Sequence, residues 1–324
     1  MKTMSLPIIL ADNKRQRGQF YTTGNPFILA PFKRWVEQHE LSEMPVLEPF
    51  AGANNLIRAL QEIDMAEEFA SFDIDPTHSE VLYRDTIRDF PRGFDFVVTN
   101  PPWLAKNSAK RRGLAYPQTE YDDLYKHALA LCLANTGHVA AIIPATFLQS
   151  GLFRERVEVV IFLHDPAMFL DTENPVCLAL FSPLSKRVKI YHDNIFIGYL
   201  DELEKNLPEE SFSIRLTFNH PQGALGLIAI DNTRTASIRF VHGEELAKYE
   251  VGFSSRMITR VDGEFVNLDR LITKLNHELI GFRKATKDVF LTPFKGLRKD
   301  GQYRRRMDYR LARDFIAHYA GTIS

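Results

Sequence analysis

The chain has 324 residues, 45% hydrophobic and 25% charged, enough for one large core or two smaller ones; at roughly 150 residues per domain, two domains are expected. With 40 basic residues against 41 acidic ones, the formal net charge of −1 excludes a uniformly basic coat and an acidic disordered tail, though not a local patch. Two cysteines, Cys132 and Cys177, are too few for a disulfide framework or a tetrahedral zinc site and read as buried thiols.

In chain order, the first 20 residues hold an apolar stretch of about six residues and then a basic run, which is neither a signal peptide nor a membrane span. No later apolar run approaches the roughly 18 residues a span needs, so a soluble cytoplasmic protein is expected. From Val46 to Phe181 short apolar runs alternate with amphipathic stretches. VLEPF, EFASFDID, FDFVVTN, GHVAAIIP and VCLALFS read as strands, NLIRALQEIDM and LYKHALALCLA as helices. Strands apolar throughout and separated by helices predict an α/β fold, a Rossmann-like doubly wound, mostly parallel sheet with ligands at the carboxyl ends of its strands. After Phe181 turn-forming residues interrupt the pattern. FSIRLTF, GLIAI, SIRFV and RMITRVDGEFV read as short antiparallel strands, and LDRLITKLNHELIGF as an amphipathic helix. A boundary near Ser185 therefore divides the chain into 1–184 and a smaller α+β domain over 185–324.

Three segments carry chemistry. In VLEPFAGANNLIRAL a strand ends at Glu48-Pro49 and a loop with the single Gly52 opens a helix near Asn55, so backbone can approach a ligand closely while Glu48 suits an ammonium group. One glycine is too few for a pyrophosphate loop. About 20 residues on, SFDIDP offers Asp73 and Asp75; an acid at this offset accepts ribose hydroxyls, and Asp75-Pro76 also fits a helix cap, which leaves Asp73 as the better ligand. Asp85 could accept from an adenine amine, whereas Asp89 reads as solvated. In FDFVVTNPPW a strand runs into Asn100, and Pro101 and Pro102 remove two backbone donors. The Asn100 amide oxygen and the Pro101 carbonyl then offer two acceptors beside the flat face of Trp103. That set suits an exocyclic amine on a planar base, although an Asn-Pro-Pro turn is in other settings only a turn.

Phe20-Tyr21-Thr22-Thr23, VLEPFAGAN, SFDIDP, YRDTI and TNPPW, in that order, resemble the S-adenosylmethionine-dependent DNA adenine N6-methyltransferases of the gamma arrangement, over roughly residues 17–181. The chain departs from that family at Thr23, where proline is usual, and at Asn54, which replaces a second glycine; Asn tolerates a left-handed backbone. The resemblance implies S-adenosyl-L-methionine as cofactor, with Tyr21, Thr22 and Thr23 near its methionine end, Glu48, Pro49 and Gly52 at its amino group and loop, Asp73 at its ribose and Asp85 at its adenine. It implies double-stranded DNA as partner, no metal, and a separately encoded restriction endonuclease of the same specificity as a companion. The target base would be flipped out of the duplex, with Trp103 as its platform and Phe147, Tyr116 or Tyr121 as a second aromatic. His127, His138 and His164 read as ordinary histidines.

Positive charge is local. LAKNSAKRRG holds Lys106, Lys110, Arg111 and Arg112 with no acid, and residues 295–313 hold eight basic residues against two acidic ones, among them Arg304, Arg305 and Arg306. Both segments read as phosphate-contacting surface, and the alternative for the second is an arginine-rich face held by internal ion pairs. Arg234, Arg239, Arg256 and Arg260 are candidates to read bases. Two other functions stay open at this stage: methylation of RNA or of a protein glutamine, and a catalytically silent DNA-binding protein.

Overall fold

A computed structural model describes residues 24–164, 174–209, 214–249 and 256–322. The chain divides into two compact units, Met1–Ile197 and Gly198–Ser324.

In the first unit, helix α1 (Ala30–Gln38) precedes β1 (Val46–Glu48), α2 (Asn55–Gln61), β2 (Phe69–Asp73), β3 (Val81–Tyr83) and β4 (Phe96–Thr99). Then come α3 (Lys106–Arg111), α4 (Leu124–Asn135), β5 (His138–Pro144), β6 (Val157–Leu163), β7 (Val176–Phe181), β8 (Lys189–His192) and β9 (Ile195–Tyr199). Among the described residues these strands form one sheet in the order β3-β2-β1-β4-β5-β7-β6-β8-β9. The first five run parallel, and β7 lies antiparallel between β5 and β6. Residues of β1, β4, β6 and β7 are buried throughout, as expected of a sheet covered on both faces. The order turns back at β1 and β4, and the crevice at their carboxyl ends is where an open α/β sheet receives ligands.

The expected alternation from β1 to β7 is present, and the structure adds α1, β3, α3 and β6. Helix α1 buries Phe32, Trp35 and Val36, a three-and-four spacing that packs one face on the core. Strand β6 holds a buried acid in an apolar run; Glu158 accepts from Gln38 and from the Ser182 hydroxyl, with His39 Nε2 2.8 Å away. Gln38, Ser182 and His39 together lower its carboxyl against the desolvation that opposes them. The division expected near Ser185 instead falls after Ile197, because β8 and β9 extend the large sheet beyond β6. Cys132 and Cys177 are both buried, and burial pushes the Cys132 thiol up to about 12.

The second unit contains α5 (Leu200–Glu204), β10 (Thr217–Phe218), β11 (Leu225–Ile228), β12 (Arg239–His242), β13 (Ile258–Asp262), α6 (Leu268–Thr286), β14 (Thr292–Leu297), β15 (Tyr303–Arg306) and α7 (Tyr309–Ala320). Its antiparallel sheet runs β10-β13-β11-β12, and β14 pairs with β15. The chain turns tightly at Gly243, where any side chain would collide with the Gly223 carbonyl. Leu271, Leu275, Leu279 and Phe282 of α6 meet Leu311, Phe315 and Ile316 of α7 in the core. A mixed α/β architecture with a mostly parallel main sheet and a smaller α+β unit is what the periodicity predicts.

Beneath the basic segment lies Asp231, wholly buried. Its carboxylate accepts from both Arg283 terminal nitrogens at 2.8 Å, from Arg298 at 3.0 Å, and from the Ser237, Ile238 and Arg305 amides. Burial alone would raise this group, but Arg283 and the amides outweigh it and hold the carboxyl below its ordinary value.

Candidate active site

The carboxyl ends of the parallel strands open on a cavity of about 390 Å³, within the range of small-molecule sites. Glu48, Gly52, Asp73, Asp85, Asn100 and Pro102 all line it. Residues spread over 55 positions of sequence are thus brought to one place by consecutive strand ends.

Glu48 ends β1 and is 2% exposed; one of its oxygens, Oε2, has no hydrogen-bond partner among the described residues. Burial pushes its carboxyl well above the ordinary range, the Ile57 amide on the first turn of α2 pulls it down, and the charge of nearby Asp73 pushes it up. A buried carboxylate oxygen without a donor lowers its free energy by receiving a cation.

Asp73, at the end of β2, is engaged on both oxygens. One accepts from the Gly52 amide and the other from the Asp75 amide, each at 2.8 Å. Its burial raises its pKa, and those two amides oppose the shift. Gly52 has φ of 52°, and its carbonyl accepts from the Thr77 hydroxyl at 2.9 Å. Pro49 accepts the Thr86 hydroxyl through its carbonyl at 2.8 Å, which anchors the start of the same loop. Asn54 takes the left-handed conformation that its replacement of glycine requires, with φ of 63°.

Asp85 follows β3, pairs with Arg88 at 3.3 Å and lines the cavity beside Thr86 and Ile87. Asp89 is exposed and pairs with Arg84. Ile74, Asn55 and Thr86 are lining residues the sequence reading passed over. The signal was their position beside Asp73, Gly52 and Asp85, since lining residues cluster at strand ends.

Beyond β4, Asn100 and Pro102 reach the cavity, and Pro101 is buried. Trp103 packs, half-buried, against the main core and does not line the cavity. Leu104, Leu114, Ala115 and Leu124 form its apolar wall instead. Phe147 does not line it either: it is buried and meets Phe181 edge-on, with centroids 5.8 Å apart. Tyr116 donates to the Tyr121 carbonyl at 3.4 Å, and neither ring lines the cavity. His127 lies 3.2 Å from the Thr119 hydroxyl, and His138 and His164 face Asp95 and Asp193, which accords with structural roles. Tyr21, Thr22 and Thr23 lie outside the described residues.

The wall belongs to an excursion pinned at its base. Ala105 and Asp123 form an antiparallel bridge, Lys106 donates to the Asp122 carbonyl and Leu124 to that of Leu104. On the outside of this excursion Lys106, Lys110, Arg111 and Arg112 are exposed. At its base burial pushes the Asp123 carboxyl up to about 6, although it caps α4 by accepting from the Tyr125 amide.

The cations of the second unit are placed differently. Arg305 is 2% exposed, and burial pushes its guanidinium down to about 10, so it is not a phosphate contact. Arg304 is half-buried, donating to the Asp231 carbonyl at 2.7 Å and packing over Phe294, and Arg306 is half-buried. Alternate residues of β15 face inward, and this takes Tyr303 and Arg305 out of reach of a phosphate backbone. Lys295, Lys299, Arg310 and Arg313 are the exposed members of the segment. Arg260 donates to the Gly223 carbonyl, Arg239 to Tyr249 and Ser237, and Arg234 and Arg256 are exposed.

Among the described residues no helix is long and apolar enough to cross a membrane, and no group of three or more His, Cys, Asp or Glu could hold a metal.

Residues 31–159 match the Eco57I family, described as restriction-modification methylase. Comparison with curated protein sequences gives no match. Among solved structures, the chain is similar to a protein of Listeria monocytogenes assigned to the class I S-adenosylmethionine-dependent methyltransferases, at 13% identity and TM-score 0.36, over 51% of this chain and 64% of that one. It is similar to a modification subunit assigned to a type I restriction enzyme of Vibrio vulnificus, at 13% identity and TM-score 0.38, over 57% and 49%. A third is the M protein of the type I restriction enzyme EcoKI, at 12% identity and TM-score 0.33, over 76% and 68%. The chain spans about half to two thirds of the length of the first two.

Proposed function

We propose that the protein is an S-adenosyl-L-methionine-dependent DNA methyltransferase acting on the N6 amine of an adenine flipped out of the duplex. The observation that carries the reading is the convergence on one cavity of Glu48, Asp73, Asp85 and Asn100, the four polar residues that the ordered motifs single out. The match of residues 31–159 to a restriction-modification methylase family supports methyl transfer on DNA in particular.

The cavity fits this cofactor on chemical grounds. The lone Oε2 of Glu48 suits an ammonium group, and Gly52 lines the cavity without a side chain where backbone must come close. Asp73 is held by two amides in one orientation and would accept a ribose hydroxyl, while Asp85 would accept from an adenine amine. When bound, the cofactor supplies an electrophilic methyl group on a sulfonium.

The chain's own part is positioning. Asn100 and the Pro101 carbonyl would accept the two hydrogens of the target amine. Its nitrogen would thereby lose conjugation with the ring and gain nucleophilic character, with the displaced proton leaving after transfer. No covalent enzyme intermediate is required. The wall of Leu104, Leu114 and Leu124 would receive the target ring, a role the sequence assigned to Trp103. Phosphates would meet Lys106, Lys110, Arg111 and Arg112 outside the excursion, and the second unit would recognise the sequence.

The test is transfer of labelled methyl from S-adenosylmethionine to unmethylated duplex DNA, followed by identification of the modified base. Wild type should yield N6-methyladenine, and Asn100→Ala should lose at least about a hundredfold in rate. Equal labelling by Asn100→Ala would refute the mechanism, and preferential labelling of RNA or protein would replace the substrate.

A further inference from the structure

Asn54 does more than adopt a glycine-like backbone. It occupies the N-cap of α2, yet its side chain makes no capping bond, because the left-handed conformation turns it away from the helix. Instead its Oδ1 accepts from the Ser71 hydroxyl at 2.6 Å, and its Nδ2 reaches Glu80 at 3.3 Å. Both Asn54 and Ser71 are buried, at 0% and 2% exposure, so the bond between them is shielded from water and from exchange with it. The capping that Asn54 forgoes is taken over by Glu48, whose carboxyl faces the Ile57 amide.

Ser71 sits at a junction. It lies directly opposite Glu48 in the β1–β2 register and two residues before Asp73, which grips the Gly52 amide. The turn is therefore tied to β2 at both ends, by Gly52 to Asp73 and by Asn54 to Ser71. Two residues that line the cavity are fixed by these ties, Gly52 at the first and Asn55 directly after the second. Glycine at position 54 would satisfy the backbone but leave one of these ties out.

We propose that Asn54 and Ser71 form a positioning pair: their buried hydrogen bond locks the Gly52–Asn55 turn against β2 in the shape that receives the cofactor. The proposal rests on reading the cavity as an S-adenosylmethionine site. Neither residue touches the reacting atoms, so the pair acts on binding rather than on the chemical step. It also explains how a chain with a single glycine in this loop keeps a defined turn, since the second glycine's freedom is replaced by a tethered residue of the same φ.

Ser71→Val and Ser71→Thr differ in one hydroxyl at nearly constant shape and separate the bond from packing. Asn54→Gly keeps the left-handed φ and removes the tie. Binding of S-adenosylmethionine would be measured by calorimetry, KM and kcat by methyl transfer, and amide hydrogen exchange at Gly52–Asn55 on the ligand-free protein. Losing the buried hydrogen bond should weaken binding about tenfold in Ser71→Val, and at least as much in Asn54→Gly, which also gives up the Glu80 contact, with KM raised and kcat nearly unchanged. Exchange at the turn should accelerate by about the same factor in those two, and Ser71→Thr should resemble wild type in every readout. Wild-type affinity and exchange in Asn54→Gly and Ser71→Val would overturn the pair, as would a Ser71→Thr as impaired as Ser71→Val. A wild type that binds no S-adenosylmethionine defeats the reading of the cavity instead; hydrogen exchange alone then decides whether the pair locks the turn.

Discussion

Glu48 in the first unit and Asp231 in the second are both removed from water, at 2% and 0% exposure, and desolvation works to raise both carboxyls. They end in opposite states. Asp231 is saturated by two arginines and three backbone amides, and its carboxyl is held low. Glu48 keeps one oxygen without a partner among the described residues, and its carboxyl is pushed high. Burial therefore does not distinguish a structural carboxylate from a ligand-binding one. The number of donors around it does, and on the reading proposed above the group short of donors is the one that would meet the ligand.

The largest expected effect is on the saturated side. Asp231→Ala takes from Arg283 and Arg298 their shared buried partner, leaving them Asp288 and Asp300, and should destabilise the protein by about 3 kcal/mol, read by denaturant unfolding. A loss below about 1 kcal/mol would remove the contrast altogether.

Glu48→Gln should act with the opposite sign on the ligand-free protein, raising its Tm because a poorly compensated buried acid is gone. Its affinity for S-adenosylmethionine should fall roughly 10–100-fold, the worth of a charged hydrogen bond. Destabilisation of the ligand-free form with unchanged affinity would show Glu48 to be structural like Asp231.

Lys110→Ala and Arg111→Ala should weaken DNA binding and lower the slope of log affinity against log salt by about 0.9 for each phosphate that the variant no longer neutralises. Arg305→Met should leave that slope unchanged, since the side chain is buried. An altered slope in Arg305→Met alone would reverse the assignment of the two basic segments.

The smallest effect is in pH dependence. A group raised in the fold contributes stability at low pH that is lost as pH rises through its folded value; a lowered group does the reverse. Asp123, raised to about 6, should make Tm decline as pH climbs from the ordinary carboxylate range through about 6, and Asp123→Asn, which keeps the cap on α4, should flatten that decline. Asp231 contributes at neutral pH and loses its contribution only on acidification. Melting temperatures of the variants from about pH 2 to 8 would check both signs, because the Asp231 contribution is lost only below the ordinary carboxylate value of about 3.9.

Much of the first unit is legible from residues alone, because β1 and β4 are buried on both faces and announce themselves as apolar runs leading into Glu48 and Asn100. Strand β6 escaped because Glu158 interrupts an apolar run, and only the three-dimensional meeting with His39, Gln38 and Ser182 makes that acid tolerable. The β8–β9 pair escaped because strands at a sheet edge carry mixed polarity and look like those of the following unit. The segment 295–313 misled for a related reason. Charge counted along a chain ignores that β15 turns alternate residues inward, which buries Arg305, and that Asp231, 64 positions before the segment begins, is the counter-ion of Arg298. Trp103 was read from its neighbours as a face for a base, yet the turn after β4 sends its ring to the core and brings Leu104 forward.

The pinned base of the 104–124 excursion has a consequence for how such a protein can change. Because the Ala105–Asp123 bridge and its flanking bonds hold the two chain ends together, the intervening residues are an appendage whose length is decoupled from the sheet. Doubling such a loop costs only about 0.6 kcal/mol in closure entropy. Insertions, deletions or grafted segments between Asn107 and Tyr121 should therefore leave the folded frame intact while exchanging, in one step, Leu114 and Ala115 of the wall that faces the cavity and Lys110, Arg111 and Arg112 outside it.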